Sequence, residues 1–335
     1  MRKRIKIKFQ NGITFQIATK EILNELVDEF DFIESDNPDF ILFGPYGNDL
    51  PQKGNYLRIG YFCENILPDL SICDWAFGVP LEETINSIKY KRIQWHGLNP
   101  KTLIKLDDYN LQNIIDSKKH FCNFFYSNQI PYREEFFKML NKYKKVDSPG
   151  KSMNNMKGVE SYYTGSRWEV KRQFLNSYKF TIAFENYVYP GYQTEKLYDA
   201  MQCNSIPIYC GDPYINKVFN TKSFLNIFDH VDQTNSTGVE WLEKNSEMDF
   251  EDMRPAFLKT PKHRIKRFIK SKGRALKMKF QFNRQNFSDL IDQIIELDNN
   301  QDLYALKLKQ PWFNNNTIPE NLSSKSRWIE IFNSL

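Results

Sequence analysis

The stretch FENYVYPGYQTEKLYDAMQCNSIPIYCGDP, residues 184–213, gathers the groups best suited to chemistry. Two carboxylates (Glu185, Glu195), Lys196 and several tyrosines lie in a glycine- and proline-bearing segment between two apolar runs. The run KFTIAFEN alternates Phe180, Ile182 and Phe184 and reads as a strand. TEKLYDAMQC reads as a helix with Leu197, Ala200 and Met201 on one face, and IPIYCG as a second strand. In open α/β sheets ligands sit beyond the carboxyl ends of strands, and helix N-termini favour phosphate. Lys196 in the first turn adds positive charge. Glu195 beside it can accept two hydrogen bonds from vicinal hydroxyls, such as those of ribose. Arg133 opens another helix just after a strand, so it can reach the same mouth and clamp a diphosphate. The chemistry suggested is binding of a nucleoside diphosphate.

The elements that would position these groups alternate along the chain. The first third offers the strands KIKF, DFILFG, YLRIGYFCEN, DWAFGV and KRIQWHG. The segment KEILNELVDEF has helical spacing at Ile22, Leu23, Leu26, Val27 and Phe30. A second series begins near Lys119 with KHFCNFFYSN as a strand. It continues with the helix PYREEFFKMLNKY, opening on Pro131 with Tyr132, Phe136, Phe137 and Leu140 inward. Apolar strands alternating with helices predict an α/β fold of parallel sheets covered on both faces. The expected division is 1–115, 116–260 and a helical, basic C-terminal extension, 261–335.

At 335 residues the chain has room for two cores, and 41% of it is hydrophobic. No apolar run approaches the length of a membrane span. The basic start MRKRIKIKFQ alternates Ile5, Ile7 and Phe9 and reads as a first strand, not a signal peptide. A cytoplasmic protein is expected. The five cysteines lack CxxC spacing and read as free thiols. The net charge is +5, but nine Lys and Arg fall in residues 262–279, and without them the remainder is net negative. That confinement argues against a nucleic-acid partner. Within it Ile265, Phe268, Ile269 and Leu276 have helical spacing, interrupted at Gly273. Such a basic amphipathic helix suits peripheral contact with the inner membrane face. No Asp-x-Asp pair occurs, and the four histidines are scattered.

The residues Phe184, Glu185, Asn186, Gly191, Tyr192, Thr194, Glu195, Lys196, Ile206, Pro207, Ile208, Tyr209, Gly211 and Pro213 together resemble the donor-binding signature of glycosyltransferase family 10, the α-1,3/4-fucosyltransferases. Many members have tryptophan where this chain has Cys210. FFYSNQIPYREEF resembles the family's strand and arginine-headed helix. IGYFCENILP resembles its Gly-Glu-Asn segment, with Cys63 where glycine is usual, and CDWAFGV resembles the family's Asp-Tyr-Ala-Ile-Gly-Phe-like stretch. The resemblance covers roughly residues 39–230. It implies a GT-B architecture, two Rossmann-like parallel-sheet domains facing across a cleft, the first receiving a glycan acceptor and the second holding GDP-β-L-fucose. It makes Glu64 the general base and Arg133 and Lys196 the groups that neutralise the departing diphosphate. Glu195 would hold ribose hydroxyls. Asn186 and Tyr192 would bond phosphate or sugar, and Glu185 would either do so or orient its neighbours. Side chains and helix dipoles then do the work of a metal, so no obligatory metal is expected. The motifs read GDP more firmly than the sugar, leaving open another GDP-sugar or a non-catalytic binding protein. Tyr90, Trp95, His96 and residues 44–48 fall at expected strand ends of the first domain, where such groups either pack into the core, the commoner fate, or meet acceptor sugars.

Overall fold

The computed structural model describes residues 2–106, 109–230, 236–282 and 284–335. The chain forms two compact units. The first joins Met1–Asn99, Trp241–Arg274 and Pro319–Leu335, and the second joins Pro100–Glu240 and Ala275–Ile318. Neither the limits at 115 and 260 nor a separate extension from 261 describes this division, because the chain returns to the first unit twice.

Among the described residues the first unit holds six strands: β1 (Lys3–Gln10), β2 (Phe30–Glu34), β3 (Phe40–Phe43), β4 (Leu57–Phe62), β5 (Trp75–Gly78) and β6 (Tyr90–Arg92). They lie in the order β2-β1-β3-β4-β5-β6, all parallel. On β1 the alternation works as the sequence suggests: Ile5, Ile7 and Phe9 are buried while Arg4 and Lys6 are exposed. The segment expected as one helix at KEILNELVDEF is different. Short helical turns run Phe15–Ile17, Ala18–Ile22 and Asn24–Leu26, and Phe30 belongs to β2. Phe30 and Phe32, two residues apart, are buried together on that strand, so a period of two wins over the helical period there.

The second unit holds β7 (His120–Asn123), β8 (Val146–Asp147), β9 (Tyr178–Phe184), β10 (Ile206–Cys210) and β11 (Leu225–Asn226), in the order β11-β10-β9-β7-β8, again all parallel. All strand positions of β10 are buried and those of β9 nearly so, as expected for a sheet covered on both faces. The helix Pro131–Tyr143 buries Tyr132, Phe136, Phe137 and Leu140, the face its spacing predicts. In each unit the strand order reverses once, between β1 and β3 and between β7 and β9. In doubly wound sheets ligands gather at that switch point, beyond the carboxyl ends.

The helix Lys325–Asn333 docks under the first sheet. Trp328 is buried, stacks on Phe77 with ring centroids 3.9 Å apart, and meets Phe332 and Tyr61. We expect Trp328→Ala to cost about 3–5 kcal/mol of unfolding free energy, as loss of a large buried aromatic does. Urea unfolding checks this, and a loss below about 1 kcal/mol would show that the helix does not belong to the core.

Candidate functional site

The cluster in the second unit is built from the end of β9. The Glu185 amide donates to Cys210 O at 2.7 Å and prolongs the pairing with β10. The Glu185 side chain is fully buried and turns toward the start of the next helix. It accepts from Thr194 N at 2.9 Å and from Thr194 Oγ1 at 2.8 Å, and it pairs with Lys196 Nζ at 3.0 Å. Thr194 caps the helix Glu195–Gln202, its oxygen accepting from Lys196 N and from Lys196 Nζ. The intervening loop turns at Gly191, whose φ of +83° favours glycine. Gly211 admits the buried carboxylate: a Cβ there would lie 2.6 Å from Glu185 Cγ and 2.4 Å from Tyr209 Oη.

Arg133 reaches the same place from the helix Pro131–Tyr143. Nη1 donates to Phe184 O and Nη2 to Asn128 O, both at 3.2 Å, and the guanidinium lies 4.0 Å above the Tyr126 ring. Instead of standing at an open mouth, the side chain is fully buried, and among the described residues no carboxylate pairs with it. Its Nε has no hydrogen-bond partner among them. Tyr126 donates through its hydroxyl to Ile182 O and Phe184 O on β9. Burial raises its phenol well above the ordinary tyrosine value, and it feels Arg133, Lys196 and Glu185 together.

The electrostatics follow from burial. Burial works against the Lys196 charge, but Glu185 and Glu195 outweigh it and hold the ammonium pKa above its ordinary value. Burial pushes the Glu185 carboxyl up, against the pull of Lys196. For Glu195 burial is again opposed, and Lys196 with Lys171 keeps it below the usual carboxylate value. Both acidic charges are thus shared with lysines, while among the described residues the Arg133 cation meets carbonyl dipoles and an aromatic face and no carboxylate. A buried cation in that condition is costly, and an anion would relieve it.

Of the residues singled out from the sequence, Arg133, Glu185, Tyr192, Glu195 and Lys196 come together around the end of β9. Tyr192 is buried in the loop. Asn186 is half-buried in the same turn. Glu185 is the buried anchor of the loop. Tyr126 and Thr194 complete the cluster. Thr194 stands among the signature residues, but nothing in local spacing marks Tyr126.

Glu64 lies in the first unit, shortly after β4, and is half-buried. Its Oε1 accepts from Tyr46 Oη at 2.7 Å. Cys63 Sγ lies 3.7 Å from the same hydroxyl, and burial pushes that thiol up to about 11. The His96 Nδ1 and Tyr61 Oη atoms are 2.9 Å apart. Tyr90 is not a surface aromatic for sugar stacking: it is in the core and donates to Pro80 O. Among the described residues no three His, Cys, Asp or Glu are grouped to hold a metal, and all five cysteines are free.

Removing the anchor should loosen the whole cluster. We expect Glu185→Ala to lose about 3–5 kcal/mol of stability, the cost of stranding one member of a buried pair. The partly exposed Glu195→Ala should lose far less. Equal losses in urea unfolding would contradict the anchoring role.

Comparison with known proteins gives the same picture. The family description "Glycosyltransferase family 10 (fucosyltransferase) C-term" matches residues 115–248, and "Alpha-(1,3)-fucosyltransferase FucT N-terminal domain" matches residues 7–96. A protein of Acanthamoeba polyphaga mimivirus that carries a fucosyltransferase name is 38% identical over 129 residues, 37% of this chain and 22% of that protein. The alpha-(1,3)-fucosyltransferase FucT of Helicobacter pylori is 28% identical over 258 residues, 66% of this chain and 51% of that protein. These matches therefore span about half or less of the relatives' own length. A crystal structure of an alpha1,3-fucosyltransferase with GDP-fucose superposes with a TM-score of 0.64 at 21% identity, covering 100% of this chain and 90% of that one. That likeness establishes the fold: two Rossmann-like parallel-sheet units of the GT-B class. With a family description matched in each half and the signature cluster assembled around β9, the chain belongs to glycosyltransferase family 10.

Proposed function

We propose that the protein is an inverting fucosyltransferase that moves L-fucose from GDP-β-L-fucose to a glycan hydroxyl. The target is the 3-OH of N-acetylglucosamine in an N-acetyllactosamine-like unit, giving an α-fucoside. The observation that carries the reading is the pair of cations at the switch point of the second sheet: half-buried Lys196 in the first turn of its helix, and fully buried Arg133 with no carboxylate partner among the described residues. A diphosphate supplies the missing negative charge.

In this mechanism an acceptor oxygen attacks the anomeric carbon from the face opposite the diphosphate. The new C–O bond forms as the bond to the phosphate oxygen breaks, and GDP leaves with that electron pair. Glu64 takes the hydroxyl proton. Arg133 and Lys196 meet the charge that grows on the leaving group. Glu195 receives the ribose hydroxyls, and Asn186 and Tyr192 bond phosphate or sugar. Glu185 keeps Thr194 and Lys196 in place. Positive side chains and a helix terminus supply the charge stabilisation, so turnover needs no metal.

The test is incubation with GDP-fucose and N-acetyllactosamine in EDTA, reading GDP release and product mass. A fucosylated trisaccharide is expected. Glu64→Gln should reduce turnover by about 10²–10⁴-fold with GDP binding intact. An unchanged rate in that variant would remove Glu64 as the base. Transfer only from another GDP-sugar would change the donor, and GDP binding without any transfer would make the protein a binding module.

The same reading includes a cytoplasmic enzyme resting on a membrane. Among the described residues no helix is long and apolar enough to cross one. The helix Pro261–Gln281 is continuous through Gly273, where a Cβ would sit 2.8 Å from Ser246 Cβ, so the glycine serves close packing and does not interrupt it. Lys270 and Arg274 face inward, to Asp249 and Ser246. Ile265, Phe268, Ile269, Leu276 and Phe280 are 43–62% exposed, with lysines among them. Apolar groups interleaved with cations suit an anionic lipid interface. The protein should co-sediment with vesicles containing phosphatidylglycerol and not with phosphatidylcholine alone, and a Phe268→Ser, Ile269→Ser double variant should lose that binding. Equal retention of wild type and variant would refute the contact.

A further inference from the structure

We infer that Tyr46 is the positioning residue of Glu64, holding one carboxylate oxygen so that the other faces the acceptor hydroxyl. The inference rests on the proposed role of Glu64 as the base. Tyr46 Oη donates to Glu64 Oε1 at 2.7 Å, and Oε2 has no hydrogen bond among the described residues. One oxygen is therefore committed and the other is available to take a proton. The phenol keeps its proton at neutral pH and donates it to the carboxylate, because burial of its hydroxyl, the neighbouring Cys63 and Glu64 itself push its pKa far up.

The ring is not a core residue, since 45% of Tyr46 is exposed. Its position comes instead from the loop that carries it, residues 44–48, which follows β3 at the switch point of the first sheet. That loop is locked against the turn after β1. A Cβ on Gly44 would lie 2.7 Å from Asn11 O, and one on Gly47 would lie 2.2 Å from Asn11 Oδ1. Asn11 Oδ1 accepts from Asp49 N at 3.0 Å, and Asn48 Oδ1 accepts from Ala256 N at 2.8 Å. Gly12, at φ +87°, leaves room for the ring, its virtual Cβ lying 3.1 Å from Tyr46 Cβ. Backbone contacts on both sides thus fix a half-exposed phenol whose hydroxyl bonds Glu64 and lies 3.7 Å from Cys63 Sγ. A hydrogen bond to an ionised group orients it more firmly than one between neutral groups. Catalytic carboxylates need such support to hold a productive geometry.

The experiment is a double-mutant cycle of Tyr46→Phe and Glu64→Gln, read as kcat and KM for donor and acceptor. Tyr46→Phe should lower kcat by about 10-fold or more, the worth of a hydrogen bond to a charged group. Both KM values and the melting temperature should be unchanged. In the Glu64→Gln background the same substitution should have almost no further effect. A kcat equal to wild type in Tyr46→Phe, or an equal loss in both backgrounds, would overturn the positioning role. A normal kcat in Glu64→Gln alone would instead overturn the base assignment on which the inference rests, so the two failures are distinguishable.

Discussion

A carboxylate buried at the end of a strand has to be satisfied from within the protein, and the second unit is arranged around that requirement. Glu185 sits one residue past β9 and is answered by the amide and hydroxyl of Thr194 and by the ammonium of Lys196. Because Thr194 is the cap of the following helix, one group fixes both where that helix begins and how its first turn is charged. Gly191 lets the chain double back to make this contact, and Gly211 clears the space into which the side chain points. The signature residues are therefore mostly not ligands of one another by accident of sequence. They are the parts of a loop closed on a buried charge.

The two units share a strand order with one reversal, yet they carry opposite chemistry at that reversal. The first presents a phenol and a carboxylate on the loops after β3 and β4. The second presents two cations after β7 and β9. A transfer reaction asks for both a proton acceptor and a stabiliser of leaving-group charge. Equivalent topology with divergent loops lets one architecture carry different chemistry in its two units.

Much of this was legible in the sequence because short periods report local geometry. The strands β1, β9 and β10 and the inward face of Pro131–Tyr143 follow from alternation and helical spacing alone. The strand-loop-helix order of residues 184–213 was legible because two apolar runs flank a segment bearing glycine, proline and charge. What escaped depends on distance along the chain. The helical spacing that included Phe30 concealed β2, whose burial is set by pairing with β1. Local sequence left Tyr90 between the core and an acceptor surface, and only the packing of the first unit places it in the core. Arg133 read as a side chain at an open mouth, and only the packing around Tyr126 shows it to be enclosed. The hydrogen bond between Tyr46 and Glu64 joins two loops, and neither loop's own neighbours mark it.

The composition of the first unit from three separate stretches has a consequence for biosynthesis. Residues 1–99 emerge from the ribosome long before 241–274 and 319–335, so the nascent sheet must wait for segments that finish its core. Until Trp328 arrives, Phe77 and Tyr61 lack the ring that covers them. The second unit, by contrast, has its five strands within one uninterrupted stretch, 100–240. The order of completion is thus inverted relative to the order of synthesis. The portion translated first is the portion finished last, and the apolar face of its sheet stays uncovered until the chain end is made.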